Sequence, residues 1–289
     1  MRTRFAPSPT GPLHLGHAFS ALIAADLARA ARGTFLLRIE DIDQSRARPE
    51  WEAQIYDDLH WLGLHWPQPV LRQSDRMPAY RAALSELWAL GLLYRCTCTR
   101  RDITDALSAP QEGAAAHGPD GPVYPGTCRP DTPPAGPCPD DAVLRLNMAR
   151  ALDRIGASTL RFDETGAAPG TIRTAFDRRA LQDEVGDVVL ARRGMGTSYH
   201  LSVVVDDAAQ AITHVVRGQD LAAATAIHLV LQHLLDLPQP VYHHHRLIRD
   251  DAGKRLAKRD DARAIALFRA EGLDPAGIAR LVGFTPSAP

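Results

Sequence analysis

Residues 2–39 read RTRFAPSPTGPLHLGHAFSALIAADLARAARGTFLLRI. Arg2–Phe5 is a short β-prone run, and Pro7, Pro9, Gly11 and Pro12 then interrupt regular structure. From Leu15 to Ala31 an alanine-rich apolar run has helical character, and Gly33 supplies a stop. Thr34–Ile39 is a second apolar strand. Strand, helix and strand in that order predict a parallel sheet with right-handed crossovers. Such sheets bind ligands beyond the carboxyl ends of their strands, near a topological switch point. His14 and His17 stand at that end of the first strand, where a loop becomes a helix. A helix N-terminus offers unpaired N–H groups and partial positive charge, and two imidazoles add directed donors, so the turn suits a polyphosphate. The plainer alternative is a proline-rich turn with one buried and one solvated histidine.

Downstream, helical patterns cover Glu50–Leu62 and Met77–Leu90, with Pro67 and Pro69 breaking between them. From about Leu92 to Asp141 the chain is rich in Pro, Gly and Ala and reads as an insertion. Short strands are expected at Val143–Leu146 and Leu160–Asp163. Strands return to the core at Asp187–Leu190, Leu201–Val205 and Ile212–Arg217. Ala222–Leu235 reads as a helix, with two short ones near Ala262–Ala270 and Pro275–Leu281. The expected organisation is a Rossmann-like nucleotide-binding core from 1–94 and 185–240, an insertion over 95–184, and a helical region over 241–289. No G-x-G-x-x-G or G-x-x-x-x-G-K-[ST] sequence occurs, so dinucleotide binding and P-loop hydrolysis lose their main support.

The chain has 289 residues and 33 lysines plus arginines, yet only Lys254 and Lys258 are lysines. Both lie in one loop, DDAGKRLAKRD, residues 250–260. Lysine placed only there points to a need for a compact, mobile ammonium rather than a planar fork. Net charge is −1, so any nucleic-acid contact depends on a local patch, best placed at Arg246, Arg249, Lys254, Arg255, Lys258, Arg259 and Arg263. No apolar run is long enough to span a bilayer and the N-terminus does not read as a signal peptide, so a cytoplasmic chain without membrane contact is expected.

The four cysteines agree with a reducing compartment. Cys96 and Cys98, followed at a distance by Cys128, read as one structural Zn2+ site whose fourth ligand is Cys138, His117 or Tyr124. Reduced, metal-free cysteines are the alternative. The acidic run Glu40, Asp41, Asp43 caps the following helix or, as a minor reading, holds Mg2+. His243, His244 and His245 cannot all face one ion from a strand, because neighbours point to opposite faces. They read as polar loop or strand-end residues near the nucleotide.

His14-Leu-Gly-His17 and the degenerate Arg255-Leu-Ala-Lys258-Arg259 resemble the two signatures of class I aminoacyl-tRNA synthetases. FLLRIEDID (35–43), YHLSVVVDD (199–207) and ITHVVRGQD (212–220) narrow the resemblance to the glutamyl branch over almost the whole chain. The chain stops at Pro289, where glutamyl-tRNA synthetases continue into an anticodon-binding domain. With the cysteine pattern, this resembles the truncated paralogues that attach glutamate to queuosine in the anticodon of tRNA(Asp). The resemblance implies an α/β class I synthetase core with a zinc-bearing insertion, a short helical C-terminal region and no anticodon-binding domain. It implies L-glutamate, ATP with Mg2+, and queuosine-carrying tRNA(Asp) as substrates of a monomer. His14, His17 and Lys258 would contact the ATP phosphates, with Lys254 assisting. Arg4 and Arg217 would hold the side-chain carboxylate, Tyr199 close the pocket, Glu40 take the α-ammonium, and Ser8 add a hydrogen bond. Tyr124 becomes the fourth zinc ligand, because Tyr124-x-x-x-Cys128 copies the family pattern. Ala257 and Val203 depart from it, removing a hydroxyl donor and a polar substrate contact. The competing readings are a truncated synthetase charging the tRNA 3′ end, and a non-catalytic zinc and nucleic-acid binding module on the same fold.

Overall fold

The structure is a computed structural model and describes residues 1–108, 117–249 and 263–287. In chain order it opens with β1 (Arg2–Phe5), α1 (Leu15–Ala30), β2 (Thr34–Ile39), α2 (Pro49–Trp61), β3 (Leu71–Arg72) and α3 (Met77–Ala89). Next come β4 (Leu93–Arg95), α4 (Arg100–Ser108), the hairpin strands β5 (His117–Gly118) and β6 (Gly121–Pro122), β7 (Leu144–Leu146) and α5 (Met148–Ile155). Then follow β8 (Thr159–Glu164), β9 (Ile172–Asp177), the helical turn α6 (Arg178–Ala180), β10 (Val189–Ala191) and α7 (Tyr199–Ala209). The last elements are β11 (His214–Gly218), α8 (Thr225–Leu234), β12 (Val241–His245), α9 (Ile265–Ala270) and α10 (Pro275–Leu281).

β1, β2 and β3 pair in parallel, as do β11, β12 and β8, with β9 antiparallel at the edge. The two groups meet along β1 and β11. There the Thr213 N–H donates to the Arg2 carbonyl (3.0 Å), and the Arg2 N–H donates to Thr213 Oγ1 (2.8 Å). Across the molecule the order is therefore β3-β2-β1-β11-β12-β8-β9, and the strand order reverses between β1 and β11. That reversal is the switch point where an open α/β sheet binds its ligand. β4, β7 and β10 form a separate antiparallel sheet.

Small side chains set how close α1 lies to the sheet. Ala18, Ala21, Ala24 and Ala28 are all buried on one helical face. Thr3 Oγ1 reaches across to donate to the Ala24 carbonyl at 2.7 Å. Around them Phe5, Leu37, Ile39, Ile55 and Leu59 form one core with Ile265 and Ile278 of the C-terminal helices. A second, larger core joins α3, α5, α7 and α8. Among the described residues, no helix is long and apolar enough to cross a membrane.

One expected element is overturned. Leu201–Val205 lies in helix α7, not in a strand. Three consecutive valines favour β locally, but Ser198 caps the helix and His200 through Val204 are all buried, so tertiary packing overrides propensity. The stop after α1 also works differently from the sequence reading. The left-handed position is Arg32 (φ 48°), while Gly33 permits a close approach to the Met1 carbonyl.

Two stability outcomes follow from these contacts. A Cβ at Gly33 would stand 2.0 Å from the Met1 carbonyl oxygen, so Gly33→Ala should lower stability by roughly 1–3 kcal/mol in urea unfolding. Asp58 in α2 is 1% exposed and neither carboxylate oxygen has a hydrogen-bond partner. Burial, aided by Asp57 and opposed by Arg269, pushes its pKa up to about 6 from 3.8. A carboxyl with a raised folded-state pKa favours folding below its unfolded value and loses that contribution as pH rises towards 6. Asp58→Asn should therefore gain about 2 kcal/mol above pH 7, with the gain vanishing near pH 4.

Candidate active site

The site begins at the N-terminus of α1. His14 is its N-cap, and the His14 Nδ1 accepts from the Gly16 N–H (3.1 Å). His17 Nδ1 accepts in turn from the His14 N–H (3.2 Å), which closes a capping box made of two imidazoles. The rings stack with centroids 3.7 Å apart. A ring whose Nδ1 accepts carries its proton on Nε2 when neutral, so capping sets the tautomer of both donors. No acidic residue occupies the first turn of α1, leaving its partial positive charge for a ligand.

A cavity of about 380 Å³ opens at the switch point between β1 and β11. It brings together Arg4, Ser8, His14, His17, Glu40, Tyr199 and Arg217, so every described residue assigned to glutamate or phosphate lies on one wall or another. Lys258 lies outside the described residues, as do Lys254, Arg255, Ala257 and Arg259. The flanks of that segment do reach the cavity. Leu247 and Ile248 line it, and Ala264 bridges to His14.

The two arginines of the cavity differ in kind. Arg4 is spent on Asp207: its Nε and Nη2 donate to Oδ1 and Oδ2 at 2.9 and 3.2 Å. Arg38 also donates to Asp207 Oδ1 (2.7 Å) and reaches Glu40 Oε1 at 3.2 Å. Arg217 is 5% exposed, and among the described residues no carboxylate contacts it. Its Nε donates to His244 Nε2 (3.1 Å), Nη1 to His228 Nδ1 (3.1 Å) and Nη2 to Thr225 Oγ1 (2.7 Å). Burial, Arg217 and His200 hold the His228 pKa well below 6.5, and burial with Arg217 lowers that of His244, so both rings accept as neutral imidazoles. A buried cation with only neutral partners attracts an anion. In the same cavity, burial raises the Glu40 pKa against the pull of Arg38 and Arg4, and a ligand ammonium would favour its charged form. Tyr199 sits between the two at the start of α7.

A second group forms in the insertion. The sulfurs of Cys96, Cys98 and Cys128 all lie within 4.8 Å of one another. The Tyr124 hydroxyl is 3.3 Å from Cys98 Sγ and 3.5 Å from Cys96 Sγ, and accepts from the Cys128 N–H at 2.8 Å. Arg145 stacks over the Tyr124 ring at 3.8 Å. Cys138 packs instead against the main core beside Pro139, and His117 pairs across its hairpin with Pro122. Three thiols and a phenol thus converge, a donor set of the kind that suits a tetrahedral soft-ligand metal site.

Other sequence candidates separate. Glu40, Asp41 and Asp43 engage Arg38, Ser74 and Ser45 with Arg46 respectively, so the acidic run is divided among loop contacts. Val203 packs in the main core and does not line the cavity. Arg246 is committed to the Val282 carbonyl and the Phe19 ring, and Arg263 to Glu271 and the Phe268 ring, which diminishes the basic patch. The sequence reading missed Asp207, Arg38, Thr225, His228 and Glu164. A further one, His244, had a visible signal in the histidine run 243–245: β12 turns His244 towards Arg217 and Glu164, while His245 lines the cavity.

The family described as tRNA synthetases class I (E and Q), catalytic domain, matches residues 1–132 and 140–288. A glutamyl-Q tRNA(Asp) synthetase from Rhodobacter capsulatus is 64% identical over 98% of this chain and 100% of its own length. One from Nocardia farcinica is 42% identical over 99% of this chain and 86% of its own. A glutamate tRNA ligase from Elizabethkingia meningosepticum, crystallised with its amino acid, superposes with a TM-score of 0.67 at 28% identity. That match covers 90% of this chain and 52% of the ligase, so the chain spans about half the length of that solved structure. By these measures the protein is a ligase of the class I aminoacyl-tRNA synthetases, and it belongs within them to the glutamyl-Q tRNA(Asp) synthetase family.

Proposed function

We propose that the chain activates L-glutamate with ATP and transfers the glutamyl group to queuosine in the anticodon of tRNA(Asp). The observation that carries this reading is Arg217, a buried cation without a carboxylate partner among the described residues, set in one cavity with Glu40 and the His14/His17 helix N-terminus. A glutamate side-chain carboxylate completes Arg217, while Arg4, bonded to Asp207, lines the same cavity. The α-ammonium meets Glu40, with Ser8 and Tyr199 closing the pocket. Glutamine cannot neutralise Arg217, so its binding leaves that charge buried and unpaired.

The α-carboxylate oxygen attacks the α-phosphorus of ATP, the bond to the bridging oxygen breaks, and pyrophosphate leaves with Mg2+. This step needs alignment and charge neutralisation rather than a protein nucleophile. The Nε2–H groups of His14 and His17 and the N-terminus of α1 face the phosphates, and Lys258 is assigned to the departing pyrophosphate. A hydroxyl oxygen of queuosine then attacks the acyl carbon, the bond from that carbon to the phosphate oxygen breaks, and AMP leaves as the hydroxyl proton is released. Cys96, Cys98, Cys128 and Tyr124 are proposed to hold one Zn2+, which would supply structure to the insertion. The core is proposed to comprise 1–94 and 185–240 with β8, β9 and β12 completing its sheet, the remainder of 95–184 forming the zinc-bearing insertion and the remainder of 241–289 the helical region. The working form is proposed to be a cytoplasmic monomer.

Zinc content provides one check. Metal analysis should find one zinc per chain, retained in Cys138→Ser and lost in Cys128→Ser. Equal retention in both variants would remove the site. The function itself is tested by transfer of labelled glutamate to queuosine-containing and queuosine-free tRNA(Asp), with tRNA(Glu) alongside. Label on the queuosine-containing tRNA alone is expected. Label on tRNA(Glu) would mean a truncated enzyme charging the 3′ end, and no glutamate-dependent ATP–pyrophosphate exchange would mean a non-catalytic module.

A further inference from the structure

Arg217 has no carboxylate in contact among the described residues, yet two carboxylates stand at the ends of imidazole chains that lead away from it. On one side His244 Nε2 accepts from Arg217, and its Nδ1 hydrogen-bonds Glu164 Oε2. Glu164 is itself fixed, its Oε1 accepting from the His244 and Gly166 N–H groups at 3.0 and 2.6 Å. On the other side the chain is longer. His228 Nε2 lies 3.2 Å from His200 Nδ1, and His200 Nε2 lies 3.3 Å from Asp120 Oδ1.

Hydrogen-bond direction is the physical content of this arrangement. A guanidinium only donates, so His228 Nδ1 accepts and its proton sits on Nε2. That proton goes to His200 Nδ1, which places the His200 proton on Nε2, facing Asp120. A carboxylate only accepts, so Asp120 terminates the chain in the one direction that satisfies every member. The opposite tautomer of either ring would set two N–H groups against each other.

Asp120 comes from the turn of the β5–β6 hairpin, in the insertion. The hairpin is seated closely: a Cβ at Gly118 would stand 2.2 Å from the Glu184 carbonyl oxygen. Asp120 and His200 also line a second cavity of about 360 Å³, which shares Glu40 and Tyr199 with the first.

We propose that Asp120 is a positioning residue for substrate carboxylate recognition, acting through His200 and His228 to aim Arg217 into the cavity. This rests on the reading of that cavity as the glutamate pocket. Direct contact with Asp120 would neutralise Arg217, as Asp207 neutralises Arg4. Two intervening imidazoles orient the guanidinium and leave its charge for the ligand. The insertion is thereby joined to amino-acid selection.

The test is L-glutamate affinity by isothermal titration calorimetry, with kcat and the KM values for glutamate and ATP from pyrophosphate exchange. Asp120 is on a partly exposed turn, so Asp120→Ala should keep the wild-type Tm. It should weaken glutamate binding and raise glutamate KM about tenfold, leaving the KM for ATP unchanged. Asp120→Asn retains an acceptor and should recover most of the loss. His228→Gln should match Asp120→Ala, and the double variant should be no worse than the poorer single one, as for members of one chain. Glutamate affinity within twofold of wild type in Asp120→Ala, additive losses in the double variant, or a parallel rise in ATP KM would overturn the proposal. A wild-type protein that binds ATP but no glutamate would instead overturn the underlying reading of the cavity, and this proposal with it.

Discussion

One carboxylate, that of Asp207, holds the sheet and the helices behind it in a single arrangement. It accepts from Arg4 on β1 and from Arg38 on β2, all three side chains being buried. The net stability of such a buried knot is modest, because desolvation offsets much of the attraction. Its larger effect is positional: removing any member strands a charge in the interior, so the arrangement has few alternatives. The adjacent Asp206 faces the other way round α7 and accepts from Gln73, Arg76 and Tyr80. Two consecutive acids, about 100° apart on a helix, thus tie α7 to the parallel sheet and to the turn at Gln73–Arg76 and α3 that follow β3.

Against that neutralised knot, Arg217 stands out by its partners. Arg4, Arg38, Asp207 and Glu40 sum to no net charge, whereas Arg217 is surrounded by imidazoles and a hydroxyl. Both arginines are equally buried, so burial does not distinguish them. The chemistry of the acceptor does: a carboxylate takes up the charge, while an imidazole only fixes the direction of an N–H. The cavity therefore presents one unneutralised cation at its carboxylate end, and at its phosphate end a helix N-terminus with two capped histidines.

Much of the fold was legible because periodicity and punctuation agreed. β1, α1 and β2 lie within one residue of their expected limits, since prolines, alanines and Gly33 mark each boundary. α7 was misread because three valines in a short buried helix look like a strand until their neighbours are known. The role of Gly33 was half legible. A glycine after a helix signals a stop, but the close approach to Met1 is a contact between segments that only the pairing of β1 and β2 creates.

The sequence by itself determined the βαβ opening, the paired histidines at a helix start, the three thiols, and the family to which these motifs point. Each depends on residues near one another along the chain or on a motif that resembles a known family's. Tertiary structure alone decided which charges are neutralised. Nothing in the spacing of Arg4, Arg38 and Asp207, or of Arg217, His228, His200 and Asp120, distinguishes a spent arginine from a receptive one. That difference arises because electrostatic pairing is set by distances of a few ångströms between segments up to about two hundred residues apart, and only folding brings them together.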